Sequence, residues 1–182
     1  MQGLQAAVNG LTALLGTPSG SWETKAEIIC EFVEAVSRAV LVRCGLDPED
    51  RYNWIAEPLA HGGKFGGRDL AHEWDGGDRP GLADLTHEIC LINVPATLSL
   101  TPDDSPPVVH YLLFGEGRVV DWDTKYMRPH RIMTYEEAVR LIVFWLAEKI
   151  LKFTRKNNWD RVRQLPDLYD RLTAVTAGLT HE

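Results

Sequence analysis

Leu4, Val8, Leu11, Leu14 and Leu15 recur at the spacing of one helix face, and the turn-formers Gly16, Pro18 and Gly20 then interrupt them. This predicts a short first helix. A second opens at the capping-box pattern of Thr24 and Glu27 and ends at Gly45. On its wheel Glu23, Glu27, Glu31, Glu34 and Arg38 make a polar stripe, opposite Ile28, Ile29, Phe32, Val36, Ala39 and Val40. Cys30, Ser37 and Cys44 lie on the border between the two. Residues 46–84 are rich in glycine and acids without sustained periodicity, so a long irregular excursion with short helical turns is expected there. Residues 88–94 predict a strand and 101–107 a breaker-rich loop. The apolar runs 108–114 and 118–122 flank Gly115-Glu116-Gly117 as a hairpin. Thr134 and Glu137 repeat the capping box ahead of a long helix with Ala138, Leu141, Ile142, Phe144, Trp145, Ile150 and Leu151 on its apolar face. Residues 165–179 predict a shorter amphipathic helix. The sum is one α+β domain over 1–182: N-terminal helices on a small antiparallel sheet, long C-terminal helices, and residues 157–182 as a helical extension.

Composition narrows the class. A hydrophobic share of 45% supplies a substantial core, and the net charge of -7 argues against nucleic acid or an anionic membrane as partner. Lys149, Lys152, Arg155, Lys156, Arg161 and Arg163 cluster late in the chain, where a solvated helix face is expected. Only Cys30, Cys44 and Cys90 are present, an odd number without framework spacing, so reduced thiols in a cytoplasm fit better than a disulfide scaffold. Residues 1–15 have no basic start, and no apolar run approaches about 18 residues, so neither export nor membrane spanning is expected.

The hairpin carries the candidate chemistry. With Gly115-Glu116 as the turn, His110 faces Asp121; with Glu116-Gly117, it faces Asp123. Either register puts a carboxylate across from the imidazole, at the Cβ separation of about 4.5 to 5.5 Å usual for facing residues. A three-residue turn would put Trp122 there. A thiol at a helix border, followed by a histidine and then an acid on adjacent strands, is the set that a cysteine nucleophile requires: the imidazole takes the thiol proton and the acid orients the imidazole.

The order Cys30, His110, Asp121 resembles the papain-like and transglutaminase-like thiol enzymes. The stretch from Cys30 to Gly45 stands for their core helix, and Val109-His110-Tyr111 through Val119-Val120-Asp121 for their histidine strand, glycine turn and acid strand. The resemblance implies a papain-like core and a thiol-dependent hydrolase or acyltransferase, whether peptidase, deamidase or transglutaminase-like. Cys30 would attack an amide or acyl carbonyl to form a thioester, with His110 as base and then acid and Asp121 as orienting group. It implies a protein or peptide substrate and no cofactor. Ser19-Gly20-Ser21-Trp22 also resembles the family's glycine-serine-cysteine-tryptophan sequence, with serine where the cysteine belongs, which implies an inactive relative. Glu27 and Glu31 flank Cys30 and would raise its pKa, against the family's usual activation at a helix N-terminus.

Two other chemistries compete. His61, His72, Glu73, Asp75, Asp78, His87 and Glu88 crowd one segment without a recognised ligand spacing, and no metal is expected. Residues 61–67 are glycine-rich around Lys64, but no serine or threonine follows the lysine as in a phosphate loop. The alternative of another class is a non-catalytic cytoplasmic binding or inhibitor protein of the immunity type, its acidic surface neutralising a basic partner, with Trp54, Trp74 and Trp159 as candidate anchors. Oligomeric state is left open.

Overall fold

In the computed structural model of the chain, residues 2–16, 20–49, 54, 56–60, 64–65, 68–69, 87–92, 108–115, 117–123, 128–156 and 166–177 are described. The helices are α1 (Gln2–Gly16), α2 (Trp22–Arg43), α3 (Tyr135–Lys156) and α4 (Pro166–Ala177). Ser21, rather than Thr24, caps α2: its backbone is extended and its Oγ accepts from the Thr24 N–H at 3.3 Å. A serine three residues upstream competes for the same orphan donors, so the helix begins most of a turn earlier than the Thr24 pattern suggests. At the other end Gly45, at φ 71°, lets the Leu46 N–H reach the Leu41 carbonyl at 2.9 Å. Glycine adopts that left-handed conformation without a Cβ penalty, and the bond closes α2 as a Schellman motif. The capping box of α3 forms in both directions, with the Thr134 N–H on the Glu137 carboxylate at 2.8 Å and the Glu137 N–H on the Thr134 hydroxyl at 3.1 Å. Proline opens α4 at the first turn, where its missing N–H costs nothing.

The strands are β1 (Ala56–Ala60), β2 (Lys64–Phe65), β3 (Arg68–Asp69), β4 (His87–Ile92), β5 (Val108–Gly115), β6 (Arg118–Asp123) and β7 (Arg128–Met133). Five form an antiparallel sheet in the order β1-β4-β5-β6-β7, and β2 pairs with β3 separately. Residues 46–84 therefore contain β1, β2 and β3, where an irregular excursion was expected. Their sequences hide them: β1 is short and holds Pro58, which is tolerated in a strand only at an edge or a bulge, and β1 is an edge. Strand β7, Arg-Pro-His-Arg-Ile-Met, likewise shows no apolar alternation and owes its conformation to pairing with β6.

One core joins the layers. Ile29, Phe32, Val33 and Val36 of α2, Ala138, Ile142 and Leu146 of α3, and Leu168 and Leu172 of α4 meet Ile89, Leu91, Leu112, Phe114 and Val119 of the sheet. Tyr111, Leu113, Val120 and Trp122, which alternate with these on β5 and β6, are buried as well. Burial on both faces explains why 108–114 reads as a continuous apolar run instead of an alternating one. Phe144, assigned to the apolar face of α3, is instead 59% exposed, because the interior stripe passes through its neighbours Val143 and Leu146. Lys149, expected on a solvated face, is 7% exposed, with its ammonium 4.3 Å from the Trp145 ring centre. That contact recovers part of the attraction lost with water. Among the described residues no helix is long and apolar enough to cross a membrane.

Ser37 shows how α2 is registered on the sheet. Its side chain is buried, and its Oγ donates to the Ala56 carbonyl at 2.8 Å. Ser37→Ala should lower unfolding free energy by about 1 kcal/mol, since it leaves a buried carbonyl one partner short. Urea denaturation monitored by fluorescence measures this, and an unchanged midpoint would show that the bond contributes nothing net.

Candidate functional site

The Glu116-Gly117 register is the one adopted: Gly115 pairs with Arg118, Leu112 with Asp121 and Tyr111 with Trp122. Gly117 supplies the positive φ, 66°, that such a turn requires. Continued one step, this register sets Asp123 opposite His110. The hydrogen bond nevertheless runs to Asp121, with His110 Nδ1 and Asp121 Oδ2 2.9 Å apart. Strand alternation explains the choice. Residues 110 and 121 are diagonal neighbours on the same sheet face, within reach of a long side chain.

Their environments differ. The Asp121 side chain is 3% exposed and that of His110 27%, so the carboxylate is rooted in the protein while the ring reaches the surface. A carboxylate accepting at Nδ1 makes that nitrogen the donor, which leaves Nε2 to accept in the neutral ring. Asp121 and the Trp145 ring, edge-on at 5.6 Å, are the partners of His110 among the described residues. Nε2 therefore has no partner there. The Trp145 contact follows from the antiparallel course of α3 along β5. The Tyr135 hydroxyl donates to the Gly115 carbonyl at 2.7 Å, and ten residues of helix, about 15 Å, then match five residues of strand, about 17 Å. The sequence places Trp145 on the apolar face of α3 but does not link it to His110, because the height of the helix against the sheet is set by tertiary contacts.

Cys30 is not joined to this pair. No hydrogen bond links it to His110 or Asp121 among the described residues, and it packs half-buried against the core. Burial, with the charges of Glu27, Glu31 and Glu34 adding to it, pushes its thiol up to about 12. Ser21, the other position that the resemblance singles out, is exposed and engaged with Thr24 as the helix cap. Cys30 lies seven residues, about 10 Å of helix, before Ser37 on α2. The α2 residue level with His110 is Ser37, through the row Ala56, Leu91, His110.

The remaining candidates divide. Trp54 is 1% exposed with its indole N–H on the Pro48 carbonyl at 3.2 Å, so it fills the core and does not serve as a surface anchor. Trp74, Trp159 and most of the proposed metal segment, His61, His72, Glu73, Asp75 and Asp78, lie outside the described residues. Among the described residues no group of three or more histidines, cysteines or acids is arranged to hold a metal. No family model matches the chain, and no curated protein or solved structure is significantly similar to it.

Proposed function

We propose that the protein acts on an amide or acyl carbonyl as a hydrolase or acyltransferase, with His110 as general base and Asp121 as the carboxylate that orients it. The supporting observation is the 2.9 Å bond between a buried Asp121 and a partly exposed His110 whose Nε2 has no partner among the described residues. In this reading Nε2 takes a proton from the attacking group as it adds to the carbonyl, then returns it to the leaving group. The resemblance assigns the attack to Cys30. A thiol held near 12 and unbonded to His110 is a poor match for that role, so water or a hydroxyl or amine of the substrate is the favoured nucleophile. A papain-like core and a cytoplasmic setting belong to the proposal, the latter resting on reduced cysteines.

Hydrolysis of a p-nitrophenyl acyl ester by purified protein tests it. His110→Ala should lower the rate by about 10²- to 10⁴-fold, the usual contribution of a positioned base, and Cys30→Ala should leave it unchanged. Equal losses in both variants would restore the thiol mechanism.

A second reading, a non-catalytic binding protein for a basic partner, draws on Glu23, Glu27 and Glu31, which stand exposed along α2 in a chain of net charge -7. Wild-type protein without hydrolytic activity that binds a cationic partner, and loses it on Glu27→Lys and Glu31→Lys, would favour this reading.

A further inference from the structure

Strand β7 ends the sheet, pairing with β6 on one side and with no other strand among the described residues. Every residue from Arg128 to Ile132 is exposed, and only Met133 is buried. Ile132 is 66% exposed although its cross-strand neighbour Val120 is 5% exposed. An edge strand presents a row of backbone donors and acceptors that another chain can continue. Within an acidic protein this edge is locally basic, with Arg128, His130 and Arg131 in four consecutive positions and no acid among them.

From these observations we infer that β7 is a docking edge for an extended, acidic segment of a partner protein, which adds as a further strand. Backbone pairing supplies most of the attachment in such strand addition, and alternate side chains supply the selectivity. Arg131 stands on the sheet face of Asp121, its register partner, and Ile132 on the opposite face beside Val120. The incoming strand therefore places a carboxylate over Arg131 and an apolar side chain over Ile132. Cross-strand pairs of opposite charge and of apolar residues both stabilise a sheet. A second copy of this chain is a poor occupant. Antiparallel self-pairing sets Arg128 or Arg131 of one strand opposite or diagonal to an arginine of the other, and like charges so placed repel. Pro129 removes one backbone donor, so pairing is strongest toward Ile132.

The test uses the full chain with two blocked eight-residue peptides, one alternating glutamate with valine and the other lysine with valine. Amide hydrogen exchange should show protection confined to residues 128–133 with the glutamate peptide and none with the lysine peptide. Arg131→Glu, a surface change that leaves the circular dichroism spectrum intact, should weaken the glutamate peptide by at least about tenfold and admit the lysine peptide. Equal binding by wild type and Arg131→Glu, protection at Ala56–Ala60 instead, or no protection at all would overturn the inference. So would protection of β7 that rises with protein concentration in the absence of peptide, which would mark self-association.

Discussion

Cys30 is expected to react with iodoacetamide at pH 7 on the order of 10³-fold more slowly than a free cysteine, because only the thiolate is nucleophilic and an unperturbed thiol ionises near 9.0. The cause is local. Burial is the larger contribution, and Glu27, Glu31 and Glu34 lie one turn before, beside and one turn after the sulfur on α2. Peptide mapping by mass spectrometry after timed alkylation distinguishes Cys30 from Cys44 and Cys90. Labelling of Cys30 at the rate of glutathione would show the thiolate to be accessible and would return it to the catalytic role that the resemblance assigns. The same group makes folding stability sensitive to alkali. Its pKa is raised from 9.0 unfolded to about 12 folded, so the native state retains a proton that the unfolded chain releases. The contribution is complete below about pH 9 and is lost as pH rises from there toward 12. Tyr135, raised chiefly by burial, adds a loss of the same sign above its ordinary value of 10.0. Cys30→Ala should flatten the denaturant midpoint against pH between 9 and 11.

Asp121→Asn is expected to reduce ester hydrolysis by about 10²- to 10⁴-fold while leaving the protein folded. The amide keeps the shape of the carboxylate but can donate through its nitrogen to Nδ1 of His110. That exchange favours the tautomer with its hydrogen on Nε2, the nitrogen that must accept a proton. His110→Ala removes the base itself and also leaves the buried Asp121 without its described partner, so it should cost about 1–3 kcal/mol of stability in addition to activity. Comparing the two by initial rates and by urea denaturation separates orientation from support. Retention of full activity by Asp121→Asn would reduce the pair to a cross-strand brace, and the binding reading would then stand.

The candidate site was unevenly legible in the chain. Glycines at 115 and 117 between apolar runs identified the hairpin, and an acid facing His110 followed from either two-residue turn. The choice of register was not visible, and the actual bond to Asp121 is diagonal, decided by side-chain reach across the pleat. Trp145 reaches His110 through the packing of α3 on the sheet, with the Tyr135 hydroxyl on the Gly115 carbonyl at the start of that helix. Strands β1 and β7 escaped detection because an edge strand needs only one partner and tolerates proline and charge.

By itself, then, the sequence determines the helices α2 and α3, the hairpin, the presence of an imidazole beside a carboxylate, and the acidic setting of Cys30. Each is a matter of residues within about twelve positions of one another, where periodicity, caps and turn geometry act directly. The tertiary structure alone decides that the α2 residue level with the imidazole is Ser37, about 10 Å of helix from the thiol, and that β7 is the edge of the sheet among the described residues. Those relations depend on how far a helix slides along strands remote in sequence, which is set by burial and by single contacts such as Ser37 on Ala56, and no local pattern encodes that distance.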